Sequence, residues 1–409
     1  MHFSRKCWTS SAVFAAAIGA SLIPSIAASA TSVPFKHPGA IALDHRGNLW
    51  IANQDSFGIT EIQASTGKVI RLVNAKADGF IDPSGVAVSG NGVWVVSGSV
   101  SYANGTSNYG MVTELNAATG ALVRTVNLKK HGVTGLSAVS VDAQHVWVTA
   151  DGGDQVAELS KTTGQVVRVF RGRYTSVESS GIASDGVHVW IPNPEGSQGM
   201  VERSAVTGVK LRTISPWAME TSPDGGNISQ IYLGPRYVTV DAHNVWTGND
   251  QGTSFKQSGS VTQIDAITGK VVRTIGSPAD HFFGVIRDIV SDGAHVWVVN
   301  GTMSTRNGQR GDTVTELNAS NGSLVRVVRL HNGIYSDPVG LASNGVDVWV
   351  TDQGGGVEGI GSVIELNSST SLSARWSTDI SRIMRMLISS RHRRRPVFRG
   401  VRGPGVAGA

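Results

Sequence analysis

Four histidines, His37, His131, His281 and His331, stand apart from the repeating pattern of this chain. Asp82 and Asp337, each directly before a proline, lie at comparable points, as do Asn53, Asp151, Asn193, Asn249, Asn300 and Asp352. Imidazole and oxygen groups gathered at one mouth would hold a divalent cation or a polar ligand. On that reading Asp151, Asp352 and His131 are candidate metal ligands, and Mg2+ or Ca2+ is the ion. On the opposing reading these Asn and Asp residues satisfy turn backbone at strand ends, and no cofactor is bound. The residue pattern leaves both open. No HExxH, cysteine cluster, phosphate loop or GxSxG occurs to sharpen the choice.

The elements that must position these groups are marked by tryptophan. Seven times a valine or leucine directly precedes a tryptophan: Leu49-Trp50, Val93-Trp94, Val146-Trp147, Val189-Trp190, Val245-Trp246, Val296-Trp297 and Val348-Trp349. Consecutive tryptophans are 43 to 56 residues apart, a period that signals a repeat architecture. Each unit reads as four short valine-rich runs bounded by Gly, Asn, Asp or Ser, as in PSGVAVS, GVWVVSG, GMVTELNA and ALVRTV. Seven such units predict an all-β chain, a seven-bladed β-propeller of four-stranded antiparallel blades. Both members of each pair are expected to be buried, because each blade is sandwiched by its neighbours.

Recurrence also sorts scaffold from candidate. A Thr-Gly or Asn-Gly turn follows the third run in six units, and an arginine follows each glycine by four residues: Arg71, Arg124, Arg168, Arg212, Arg273 and Arg326. The third run carries Glu61, Glu114, Glu158, Glu316 and Glu365, with Gln263 and Arg203 read as exceptions. Cross-strand Glu–Arg pairs are the expected use. His145, His188 and His295 share one turn position and are assigned to the scaffold.

Charge and targeting set further bounds. Residues 1–30 read as a secretory signal, with Arg5 and Lys6, an uncharged run from Ser11 to Ile26, and a small-x-small site at Ala28-Ser29-Ala30. Cleavage near Ala30 is expected to give a secreted, extracellular or periplasmic protein. It would also remove Cys7, the one cysteine, and leave no disulfide. The formal charge of +5 is concentrated at the ends, since residues 371–409 hold nine arginines against Asp379. The body is mildly acidic, which argues against nucleic acid as its partner. The expected layout is a signal peptide at 1–30, the propeller at 31–376 and a basic, poorly ordered tail at 377–409. A basic amphipathic segment touching anionic surfaces is the alternative for the tail. The outer strand of the last unit is weak, and Val33-Pro34-Phe35 is a candidate to supply it.

Function is expected where the pattern breaks. The first-to-second and third-to-fourth turns are short and uniform, so one face of the disc is monotonous. The other face receives long, dissimilar loops. These hold the candidate ligand-binding residues Tyr102 and Tyr109, Trp217 and Tyr232, and Arg306 and Arg310.

The phrase HVWVVN…GDTVTELNASNGSLVRVV around Trp297 resembles the YVTN/NHL-type propeller repeats of secreted bacterial proteins. Over about residues 38–370 the chain is also similar to streptogramin B lyases, seven-bladed propellers of the same general build. That second resemblance implies a magnesium ion, with His and Glu on the loop-rich face opening a cyclic ester by elimination. Carried onto this sequence, it implies His281 or His331 as base, with Glu178 or Glu358 near the metal. Two functions therefore enter the structural test. One is a monomeric, secreted, non-catalytic binding or scaffold protein for an extracellular protein, peptide or glycan. The alternative is a metal-dependent lyase or hydrolase.

Overall fold

The computed structural model describes residues 35–377, apart from 56–57, 75–79, 99–108, 151–154, 172–180, 194–198, 216, 222–226, 233, 250–258, 277–284, 302–311, 331–336, 355–360 and 368–373. The described residues form seven four-stranded antiparallel sheets and one two-stranded sheet. Blade 1 comprises Pro38–Leu43, Asn48–Asn53, Gly58–Gln63 and Val69–Asn74. Blades 2 to 7 occupy 83–127, 136–171, 183–214, 235–276, 285–329 and 338–377. The first strand of each blade packs on the first strand of the next, and that of blade 7 packs on that of blade 1. The chain is a closed seven-bladed propeller.

The Val-Trp pair is the interlock between blades. All seven repeat tryptophans are at most 2% exposed. Trp50 packs with Val93 and Val95 of blade 2, Trp94 with Val146 and Val148 of blade 3, and Trp297 with Val348 and Val350 of blade 7. Trp349 packs with Leu49 and Ile51 of blade 1, so the ring is closed by the same contact that joins its other blades. Alternation along a strand turns the valine toward the preceding blade and the tryptophan toward the following one. Among the described residues ring closure uses no exchanged strand; Val33 and Pro34 lie outside them. Blade 7 supplies its own outer strand, Ala374–Ser377, paired with Ser362–Asn367. Phe35, expected above to help form an outer strand, is instead buried against blades 7 and 1, and its carbonyl accepts from Gly361 N–H at 3.2 Å.

Charged pairs stitch the rim. Glutamate lies opposite tryptophan in the strand register, as in Trp50↔Glu61, Trp147↔Glu158 and Trp190↔Glu202. The blade 4 glutamate is thus Glu202; Arg203, read above as the exception, is one residue out of register. The pairs are Glu61–Arg71 at 2.5 Å, Glu114–Arg124 at 2.7 Å, Glu158–Arg168 at 2.8 Å, Glu202–Arg212 at 2.9 Å and Glu316–Arg326 at 2.5 Å. Glu158 and Glu202 are fully buried, so these are not surface cross-strand pairs. The same arginines donate to turn carbonyls of the next blade: Arg71 to Ala118, Arg124 to Thr162, Arg168 to Val206 and Arg212 to Ile267. This explains the turn glycine twice over. Gly164 has φ +71°, and a Cβ there would lie 2.6 Å from Arg124 Cδ.

In four blades a second pin lies at the turn before the tryptophan. Asp142 accepts from Trp147 Nε1 at 2.9 Å, from the backbone N–H groups of Gln144 and His145, and from Ser184 Oγ of blade 4 at 2.8 Å. Burial alone would raise its pKa, but these donors hold it below the usual carboxylate value. His145 lies beside this carboxylate at 3.3 Å and Glu158 at 3.7 Å, a scaffold position as expected. Asp185 occupies the same turn in blade 4 but accepts only from the Val187 and His188 backbone and the His188 ring. Asp142→Ala should therefore cost about 2–4 kcal/mol in urea unfolding, and Asp185→Ala only about 1 kcal/mol. Because the folded pKa of Asp142 is depressed, its contribution is present above the unfolded value of about 3.9 and is lost as pH falls through the folded value. Equal losses for the two substitutions would contradict the role given to the indole and serine contacts.

Candidate functional site

The first strands enclose an axial cavity of about 630 Å3 that opens on the loop-bearing face. Its walls follow from the repeat. Nine residues before each tryptophan (ten in blade 1) stand Ala40, Gly85, Ala138, Gly181, Tyr237, Asp288 and Gly340. Small residues in five blades keep the axis open, and Gly340 has no room for more, since a Cβ would meet the Gly39 carbonyl at 2.6 Å. Blades 5 and 6 depart from this, with Tyr237 and Asp288. The preceding residues depart again: Arg236 and Arg287 stand where other blades carry Gly39, Ser84, Ser137, Ser180 and Val339. The pairing shifts register between Ile286 and Asp288, so Arg287 is the extra residue of a bulge. A bulge re-aims its side chain, here toward the mouth.

Arg287 is held by its own blade. Its stem crosses Gly301, where a Cβ would lie 2.6 Å from Arg287 Cγ. Its Nη2 stands 4.0 Å from Asp337 Oδ1 on the approach to blade 7, too far for a hydrogen bond. Asp337 is fixed by its backbone, which donates to Asp352 Oδ1 at 2.9 Å and accepts from Gln353 N–H at 2.9 Å. Burial pushes the Asp337 pKa up. Arg287 opposes the shift, Asp352 and Asp312 add to it, and His37 opposes it.

Asp288 is enclosed by protein but keeps an edge on the cavity. Its carboxylate accepts from Leu341 N–H of blade 7 and from its own neighbour Ile289 N–H, both at 2.8 Å. Burial outweighs these two bonds and pushes its pKa up to about 7. On the approaches to blades 1 and 2, His37 and Asp82 take φ of 42° and 55°, in positions before proline where extended backbone is the norm. Such conformations cost roughly 1–3 kcal/mol each and gather at functional sites. His37 Nδ1 pairs with Asp55, and Asp82 lines the cavity.

The residues singled out from the sequence distribute as follows. Tyr109 is 47% exposed, and its carbonyl accepts from Gly135 N–H at the cavity wall. Trp217 and Tyr232 are register partners in a two-stranded hairpin, Trp217–Thr221 with Asn227–Tyr232, between blades 4 and 5. That segment is not the irregular loop expected, and the Pro223-Asp224-Gly225 turn signature announced it. His131 ends a 3-10 turn, Leu128–His131, after the outer strand of blade 2, and its carbonyl accepts from Arg171. Asp352 is buried, and its Oδ1 caps the N–H groups of Asp337 and Gly354. Asn53, Asn249 and Asn300 are buried and donate to hydroxyls of the adjacent strand, Thr60, Ser260 and Thr262, and Thr313 and Thr315. Asp151, Tyr102, Glu178, His281, Arg306, Arg310, His331 and Glu358 lie outside the described residues. Among the described residues no three His, Cys, Asp or Glu side chains are grouped to hold a metal ion.

Arg287 and Asp288 give no signal of broken rhythm, because the first strand of the repeat runs through them; comparison of the units by position picks them out. The raised pKa of Asp288 gives a stability term that is present below the unfolded pKa of about 3.9 and lost as pH rises through about 7. Relative to Asp288→Asn, the wild-type chain should lose stability as pH rises from about 4 to about 7, by up to about 1.4 kcal/mol per pH unit, and level off above that. Parallel pH profiles in urea unfolding would contradict this.

No protein-family model matches the sequence, and no match was found among curated proteins. Solved structures do resemble the fold. The structure of a streptogramin B lyase superimposes with a TM-score of 0.57 at 14% identity, over 78% of this chain and 92% of the other. BamB from Moraxella catarrhalis gives a TM-score of 0.45 at 15% identity, over 76% and 79%. At these identities the likeness to the lyase is one of propeller architecture.

Proposed function

We propose that this chain is a binding protein that admits a polar ligand to the channel mouth on its loop-bearing face and performs no catalysis on it. The observation that carries the reading is the state of Arg287 and Asp337. Each side chain is about one-third exposed, at 37% and 33%. Yet Arg287 Nε and Asp337 Oδ1 are buried atoms with no hydrogen-bond partner among the described residues. A buried polar atom left unpaired costs about 1–3 kcal/mol, and native proteins seldom keep one without a use. Here a donor and an acceptor are left unmet side by side, on rigid strands, at the opening of a cavity of ligand size. Extracellular peptides, proteins and glycans all carry matching groups, and the signal-like segment 1–30 would deliver the chain to them.

A thermal-shift screen of peptides, amino acids, sugars, Mg2+ and Ca2+ tests the reading. A ligand that binds only the folded state raises the melting temperature. At least one organic ligand should do so, and Arg287→Ala or Asp337→Asn should abolish the shift. Ile267→Ser, on the opposite face and 74% exposed, should leave it intact. A shift given only by Mg2+ or Ca2+, or one indifferent to both mouth substitutions, would overturn the proposal.

A further inference from the structure

We propose that the mouth between blades 6 and 7 recognises an α-ammonium group together with the carbonyl beside it, the pairing found at the amino end of a peptide. This rests on the binding reading above and narrows it to a chemical class.

Charge at the cavity selects a cation. The described lining residues include three carboxyl groups, Asp82, Asp288 and Asp337, and one cationic side chain, Arg287. Asp352 and Asp312 add negative charge behind Asp337. A phosphate or a lone carboxylate would meet Arg287 only by approaching this excess of carboxylates. An ammonium group is drawn to it.

Arg287 then requires an acceptor on the same ligand. Its guanidinium carries donors only, and the Asp337 carboxylate carries acceptors only. They stand 4.0 Å apart, each held by its own blade: Arg287 across Gly301, Asp337 through its backbone bonds to Asp352 and Gln353. The gap does not close into a direct hydrogen bond. A ligand that offers a donor and an acceptor on neighbouring atoms spans it, the ammonium toward Asp337 and the carbonyl oxygen toward Arg287. An α-amino carbonyl places these groups on adjacent carbons. Asp288 faces the same cavity and supplies a further acceptor surface for the cation.

The remaining wall suits a main chain. Gly39, Gly85, Gly98, Gly135, Gly181 and Gly340 line the cavity, so part of its wall is backbone, which an extended main chain can approach closely. The volume of about 630 Å3 exceeds what an ammonium group alone would fill. A bare metal ion is a poorer fit, because the described carboxylates do not converge on one point.

The test is isothermal titration of the purified chain with alanyl-alanine amide, N-acetyl-alanyl-alanine amide, free alanine and glucose. The free-amine dipeptide should bind, and acetylation, which removes the cation but keeps the carbonyl, should weaken binding at least tenfold. This comparison uses the wild-type chain and needs no variant to fold. Asp337→Asn and Arg287→Ala should each weaken the dipeptide at least tenfold with unchanged melting temperature. Alanine binding as well as the dipeptide would support the same chemistry with free amino acids as its source; dipeptide alone would support peptide ends. Equal binding of the acetylated and free peptides, or an Asp337→Asn chain that binds normally, would overturn the inference. If only glucose binds and both substitutions abolish it, the inference fails while the binding function stands. If no ligand binds in a mouth-dependent way, both fail.

Discussion

Every blade of this propeller depends on one contact, the seating of a tryptophan against the residue that precedes the tryptophan of the next blade. An indole removes a large apolar area from water, and here the area is supplied by two blades rather than one. A single blade has no such partner and would leave both faces wet. The contact therefore makes the fold collective: Trp349 on Leu49 is worth as much to the ring as Trp50 on Val93. Hydrogen bonds refine this seating. Indole Nε1 groups of Trp50, Trp147, Trp246 and Trp297 are bound by the turn aspartates Asp44, Asp142, Asp241 and Asp292, and buried Glu61, Glu158 and Glu316 lie opposite three of these tryptophans in the strand register.

The glutamate–arginine stitch is a consequence. Burying Glu158 is costly, and Arg168 repays part of that cost only because its own position is fixed by the Val206 carbonyl of the next blade. Burial still leaves Glu61, Glu114, Glu158 and Glu202 with raised pKa values despite their arginines. Blade 5 shows that the charge is dispensable: Gln263 holds the position with bonds to Asn244 and to the Ala319 carbonyl. What the repeat conserves is a polar group that ties one blade to its neighbour.

Much of this was legible in the sequence, and the reasons are physical. The Val-Trp period reports blade number because each blade must present the same two faces. Glycine four residues before arginine reports the rim turn because the arginine of the preceding blade lies across that glycine. Register was legible only to within a residue, so Arg203 was read for Glu202; a strand's period of two makes neighbours look alike until pairing is known. The hairpin at Trp217–Tyr232 was read as a loop because its composition departs from the blades, although Pro223-Asp224-Gly225 is turn chemistry. The serine from the next blade was not legible, since only the assembled ring brings Ser184 to Asp142; the aspartate–indole bond is local to one hairpin and depends on the register of its turn.

The candidate site was hidden for the opposite reason to the hairpin. Attention to broken rhythm selects loops, whereas Arg287 and Asp288 break no rhythm; they are single substitutions inside a strand whose length and pairing are ordinary. A propeller with identical inner strands would present a ring of equivalent groups at its axis, suited to a symmetric ligand or to none. Five blades here present Gly or Ala, and that emptiness allows two blades to define a direction across the channel. Arg287 reaches toward blade 7 from a bulge, Asp337 waits on the connection that enters blade 7, and Asp288 bonds the Leu341 backbone of that same blade. The junction of blades 6 and 7 is thus tied together at the axis by the residues that would face a ligand. Asp288 holds that junction through the Leu341 N–H while it lines the cavity between the blades.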